Sequence, residues 1–284
     1  MAATATKFQK PSEHLIPNDL LTRTVRVVVV GCGGTGSAIA GGLPYLHQAM
    51  LAHGHPGGLH VTMVDADRIS ETNCVRQPFS QSEVGLHKAT VLVDRINMFW
   101  GLGWEAVREF VDERWTRNAD LVIGCVDTRT ARGKIVKSAM FKNAAYYLDL
   151  GNSAASGQFV LGQPKDTGWN SRDNDEDGEK RLRLPTVAEL FPEIINSALD
   201  RKDPLPSCSA VEALNKQEPF VNQCLAYHAL AMLARLFRYG RLTHHGGFVN
   251  LATGKMQPLP VDAEVWKRMM AGNKPAAERR KKAA

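Results

Sequence analysis

The apolar run Val25–Val30 stops abruptly at Gly31-Cys32-Gly33-Gly34-Thr35-Gly36-Ser37, after which residues 38–51 read as a helix. A β-branched run broken only by Arg26 suits a strand buried on both faces, as in the middle of a parallel sheet. Gly31, Gly33 and Gly36 satisfy GxGxxG between that strand and that helix, where backbone amides at a helix N-terminus can face a phosphate. After a histidine- and glycine-bearing loop (53–58) comes a second apolar strand, Leu59–Val64, which ends at Asp65. An acid at that point commonly accepts hydrogen bonds from a ribose. Taken alone, this βαβ unit favours a dinucleotide oxidoreductase and does not identify the nucleotide. A glycine turn that only permits tight helix packing is the bland alternative.

The alternation continues. Residues 86–100 carry Leu86, Ala89, Val93, Ile96 and Phe99 at helical spacing, and a strand is expected at 105–111. Another strand at 121–126 ends at Asp127, followed by a helix at 128–142 and a strand at 145–150. The pattern implies an α/β, Rossmann-like, doubly wound and mainly parallel sheet covered on both faces. From Gly157 the regime changes. A strand at 158–161, a buried apolar helix at 220–239 and a hairpin pairing 247–252 with 255–261 suggest a C-terminal antiparallel extension. Between them a polar, charged stretch reads as a mobile loop near 164–206. The expected organisation is a polar N-terminal arm (1–22), a single domain (23–261) and a basic C-terminal tail (262–284).

Composition narrows the setting. Hydrophobic residues make up 44% and charged residues 23% of the 284, ordinary for a globular chain. No apolar run approaches the roughly 20 residues that span a bilayer, and residues 1–10 lack a signal-peptide core, so a cytoplasmic protein with no membrane partner is expected. Five widely spaced cysteines suit reduced thiols. The net charge of +6 owes part to Arg279, Arg280, Lys281 and Lys282, and no basic-aromatic stripe suggests a nucleic-acid partner.

The stretch from Asp65 through Asp67, Asn73, Arg76 and Gln77, with Gly85 and Lys88 beyond it, has no purpose in a dinucleotide dehydrogenase. It suits a nucleoside triphosphate. Arg76 and Lys88 can neutralise phosphate oxygens, Asn73 can position one, and fixed positive charge gains value as pyrophosphate leaves. Singly, each basic residue reads as a solvated surface charge; the combination argues otherwise.

Together, Gly-Cys-Gly-Gly-Thr-Gly-Ser, Asp-x-Asp-x-Ile-x-x-x-Asn-x-x-Arg-Gln, Gly-x-x-Lys and the strand-end Gly-Cys-Val-Asp resemble the ThiF/MoeB/HesA family of ubiquitin-activating-like adenylyltransferases. The segment 147–152 and the closing His-Gly-Gly-Phe-Val-Asn-Leu-Ala-Thr-Gly-Lys are similar, more narrowly, to the ThiF-type member of bacterial PRTRC gene systems. The resemblance covers residues 23–261. It implies that ATP and Mg²⁺ are used to adenylate the C-terminal carboxylate of a small ubiquitin-like or sulfur-carrier protein. On that resemblance Gly31, Gly33, Gly34 and Gly36 line the ATP site, with Asp67 and Gln77 beside them. Asp65 holds the ribose, Asn73, Arg76 and Lys88 bind phosphates, and Asp127 is the acid associated with Mg²⁺. A homodimer, and a conjugating protein as a further partner, are also implied.

Cys208 lies where family members often carry a cysteine that accepts an acyl group or sulfur, and a small buried hydrophobe is the equal alternative. Cys224 is expected in the core. Two features depart from the family. The paired CxxC motifs of a structural zinc are absent, so no cysteine-ligated zinc is expected, and His53, His55 and His60 read as a surface loop. Relatives insert an N-terminal arginine into the neighbouring subunit's ATP site; Arg23 is the candidate, in surroundings unlike theirs. The competing readings are an NAD(P)-dependent oxidoreductase and a non-catalytic nucleotide-binding scaffold.

Overall fold

The computed structural model describes residues 12–165, 182–202 and 218–272. Its centre is β2 (Val25–Val30), in which every residue but Arg26 is buried, as the apolar run demands. β3 (Leu59–Val64) and β5 (Leu121–Gly124) flank β2 in parallel. Outside them, also parallel, lie β4 (Glu105–Val107) and β6 (Tyr146–Asn152). Three antiparallel strands extend the sheet beyond β6: β7 (Ser156–Gly162), β9 (His244–Asn250) and β10 (Lys255–Pro260). The spatial order is β10-β9-β7-β6-β5-β2-β3-β4. The chain leaves β2 in one direction through β3 and β4 and resumes on its other side at β5, so a switch point lies between β2 and β5.

The central helix α1 (Gly34–Ala52) is buried on most of its circumference. α2 (Lys88–Trp100) is amphipathic and buries Ala89, Leu92, Val93 and Ile96. The helix expected at 128–142 is divided into α3 (Arg129–Lys137) and α4 (Ala139–Asn143). Ser138 makes the break, its hydroxyl donating to Ile135 O at 2.7 Å and accepting from Phe141 N at 3.2 Å. The strand expected to run to 111 stops at Val107.

Three segments read as peripheral are built into the domain. Within the supposed arm, β1 (His14–Leu15) pairs with β8 (Arg241–Leu242), and Ile16 and Leu20 are buried; residues 1–11 lie outside the description. Within the supposed mobile loop, residues 182–202 include α5 (Val187–Leu190), with Leu184, Val187 and Leu190 fully buried and Arg183 bonded to Glu189 at 2.6 Å. Residues 166–181 and 203–217 lie outside the description. α6 (Val221–Tyr239) packs one face on α1 and leaves Tyr227, Arg235 and Tyr239 exposed, so that face is core; Cys224 is only partly buried there. The supposed tail begins with α7 (Ala263–Gly272), pinned by Trp266 Nε1 donating to Pro260 O at 3.0 Å. Each segment is polar on average but places its few apolar residues at contact positions, which composition cannot reveal.

The antiparallel half carries an acid-sensitive histidine. His245 is fully buried against Trp266, its Nδ1 donating to Leu161 O at 2.6 Å and its Nε2 without a partner among the described residues. Burial lowers its pKa to about 4 from 6.5, and His14 and His244 add to the effect. Because the folded pKa lies below the unfolded one, the stabilisation is complete above pH 6.5 and is lost as pH falls toward 4. Burial opposes ionisation of Glu189, but its bonds from Arg183, Thr186 and Lys165 hold it at about 2 against 4.5, a stabilisation lost between those pH values. Thermal melts should fall in two ranges, the upper worth about 3 kcal/mol. His245→Asn, which keeps a donor for Leu161 O, should remove most of the upper one. A melting temperature indifferent to pH between 6.5 and 4 would contradict this.

Candidate functional site

The carboxyl ends of β2, β3 and β5 open into a cleft of about 830 Å³ at the switch point. Its floor is the turn after β2. Gly31 holds φ at +94°, a left-handed conformation that L side chains rarely adopt, and a Cβ there would stand 2.8 Å from Cys125 O. Any Cβ on Gly36 would overlap the Gly31 carbonyl oxygen, so only glycine lets the first turn of α1 sit against the strand end. Gly33, the residue before α1, has open space where a Cβ would be, and Gly34 lies against the Asn222 side chain. Gly31, Gly33 and Gly34 line the cleft, while Gly36 serves it from beneath.

Asp65 ties the turn to the end of β3. One carboxylate oxygen accepts from Cys32 N at 2.5 Å and the other from Asp67 N at 2.7 Å. Burial nonetheless raises its pKa from the ordinary aspartate value, the two amides opposing. A carboxylate offers about four lone-pair sites, so it retains capacity for a ligand hydroxyl.

Asp67 and Lys88, expected as separate contacts, form an ion pair at 3.2 Å, with Lys88 almost buried and Asp67 exposed. The pair is reinforced by Lys88 N donating to Asp67 O at 3.1 Å. Asn73 sits in a short turn whose cap uses its oxygen, which accepts from Ser70 N at 3.0 Å, so its amide NH₂ is the group left for a ligand. Arg76 and Gln77 line the same wall, and Gln77 has a buried side-chain oxygen without a donor among the described residues. Asp127 faces them from the end of β5; its carboxylate has no protein partner among the described residues. Seven expected side chains beyond the glycine turn thus meet in one cleft only because three strand ends do.

Two expectations fall elsewhere. Arg23 is fastened to Asp120 at 2.7 and 2.9 Å near the amino ends of β2 and β5, the opposite edge of the sheet from the cleft. It is a structural ion pair of its own subunit. Cys208 lies outside the described residues. Cys32 and Cys125 are buried at the cleft floor, where burial raises both thiols far above their ordinary range and makes them poor nucleophiles.

Sequence reasoning missed the supports. Arg132 Nε donates to Asp149 at 2.7 Å, Tyr147 OH to the same oxygen at 2.8 Å, and Arg132 Nη2 to Val126 O at 2.9 Å. This buried cluster fixes the backbone immediately before Asp127. The side-chain oxygen of Asn222 accepts from Thr35 at 2.8 Å and from Asn152 at 3.1 Å, joining α1, β6 and α6 behind the glycine turn. An arginine inside a polar helix and an asparagine opening an apolar one carry no sequence signal for such roles. Lys134, exposed on the cleft lip, was likewise not singled out.

The strand order and its reversal define a Rossmann-like α/β protein. The chain belongs to the ThiF family, which it matches over residues 18–265. Comparison with curated proteins finds no match. Among solved structures, the selenomethionine PaaA crystal structure aligns with a TM-score of 0.52 at 14% identity, covering 84% of this chain and 64% of PaaA. E. coli MccB solved with ATP gives 0.52 at 18% identity, and MccB with MccA-N7isoASN gives 0.51 at 17%, both with the same coverage. The chain therefore spans less than two thirds of these proteins, and at such identities the likeness is one of fold.

Proposed function

We propose that this chain is an adenylyltransferase that activates the terminal carboxylate of a peptide or small protein with ATP. The observation that carries this reading is the gathering of the glycine turn, Asp65, Arg76, the Lys88–Asp67 pair and Asp127 around one cleft at the sheet's switch point. A dinucleotide oxidoreductase would use the first two and leave the rest without purpose. MccB, solved with ATP and with MccA-N7isoASN, lends support by analogy of fold.

In this reading Asp65 accepts from the ribose hydroxyls, and the phosphates lie along the amides that open α1. Arg76, Lys88 and the Asn73 amide hold phosphate oxygens. A carboxylate oxygen of the acceptor attacks the α-phosphorus as the bond to the β-phosphate oxygen breaks, giving an acyl-adenylate and pyrophosphate. Among the described residues no cluster of three metal-ligating side chains exists, yet a lone partnerless carboxylate suits Mg²⁺, which takes most of its ligands from phosphates and water. Asp127 would hold the ion, which would offset repulsion between the incoming carboxylate and the polyphosphate. The acceptor is a small ubiquitin-like or sulfur-carrier protein of the PRTRC type, the enzyme works as a homodimer in the cytoplasm, and Cys208 or a conjugating protein receives the acyl group afterwards.

ATP–pyrophosphate exchange tests this with a candidate carrier, intact or lacking its last two residues. Exchange should require the intact tail and survive Cys208→Ala. Stabilisation by NAD(P) but not by ATP with Mg²⁺ would favour the oxidoreductase. ATP binding without exchange, across carriers shown to bind the chain, would leave a scaffold.

A further inference from the structure

Phe110 is the one aromatic side chain among the described residues that line the cleft, and 72% of its surface is exposed. Its location follows from β4. Strand β4 runs in register with β3 through Val64 and Val107, and Asp65 N donates to Val107 O at 3.1 Å. Phe110 is three residue steps beyond Val107, a backbone reach of at most about 10 Å. The ring and the ribose-holding carboxylate of Asp65 line the same cleft. Phe110 lies on the β4 side of Asp65, away from the glycine turn and Asp127, which are set around β2 and β5. Val111, which follows it, is buried in the core and anchors the loop. A nucleotide with its ribose on Asp65 and its phosphates on the glycine turn can extend its base in this direction, along the wall formed by residues 109–111.

We infer that Phe110 stacks on the base of the bound nucleotide and makes this chain's affinity depend on the base as well as on the phosphates. The inference rests on the nucleotide reading above and adds to it a base-binding residue. An aromatic face left open to water has no energetic merit in the free protein. Against the flat face of a purine it loses that exposure, and stacking of this kind tolerates any base because every base has a π-face.

Calorimetric titration of the full chain with ATP and with ribose 5-triphosphate, which lacks the base, separates the two contributions. Wild type should bind ATP more tightly than the base-free analogue. Phe110→Ala should weaken ATP by about tenfold or more, leave the base-free analogue unchanged, and leave the melting temperature of the free protein where it was, since the ring is exposed. Phe110→Trp should keep or tighten ATP binding. Unchanged ATP affinity in Phe110→Ala, or equal weakening of both ligands, would overturn the inference while leaving the nucleotide site intact. A wild-type chain that binds neither ligand would instead sink the nucleotide reading, and this inference with it.

Discussion

Asp127→Asn should cut carrier-dependent ATP–pyrophosphate exchange by about a hundredfold to a thousandfold, the range seen when a group that stabilises transition-state charge is removed. The substitution keeps size and polarity and removes only the negative charge. Asp127 is exposed and makes no hydrogen bond or ion pair with the protein among the described residues, so the fold has nothing to lose. The melting temperature should accordingly stay within about 1 °C of wild type. ATP binding in the absence of divalent cations should also persist, because Asp65, Arg76 and the glycine turn are untouched. The strengthening of ATP binding by Mg²⁺ should disappear. Exchange unaffected by the substitution would remove Asp127 from the chemistry, whereas a large fall in melting temperature would make it a structural residue.

Asp149→Ala should act in the opposite manner, through stability first. Asp149 is wholly buried and Arg132 is 4% exposed. Taking the carboxylate away strands a guanidinium and the Tyr147 hydroxyl in the interior. Removing one member of a buried pair costs about 3–5 kcal/mol, which in a domain of this size lowers the melting temperature by roughly 6–20 °C. A double substitution, Arg132→Met with Asp149→Leu, removes both charges and should recover much of the loss. Nucleotide affinity measured well below the melting point should still fall in both variants, because Arg132, which holds Val126 O beside Asp127, is absent from one and has lost its positioning carboxylate in the other. If Asp149→Ala melted like wild type, the pair would be ornamental to stability; if the double variant bound ATP normally, it would be irrelevant to the site.

The strands around the site were legible in the sequence because they are local. Val25–Val30 and Leu59–Val64 are apolar runs whose ends are marked by glycine and by an acid, and a strand buried on both faces needs no partner to be recognised. The expected boundaries of β2 and β3 match the structure, and the antiparallel extension follows the change of regime near Gly157. Segment ends were less visible. Ser138 splits one expected helix through hydrogen bonds to both sides, a choice between two satisfactory backbone arrangements. Residues 12–22, 182–202 and 263–272 hide a few buried side chains among polar ones, so their attachment depends on surfaces made by other parts of the chain.

The sequence by itself determined which residue types sit at strand ends: glycines at 31, 33, 34 and 36, acids at 65 and 127, and the Asn73, Arg76, Lys88 set between them. Those identities follow from sterics and charge that act within a few residues. Only the tertiary structure decided how they are used. It paired Lys88 with Asp67, turned the oxygen of Asn73 into a cap, sent Arg23 to Asp120 at the far edge, and brought Arg132, Asp149 and Asn222 behind the cleft from distant parts of the chain. The physical reason is that a buried charge or amide must find a partner wherever the packed chain offers one, and those partners, such as Thr35 for Asn222, lie too far along the sequence for any local pattern to announce them.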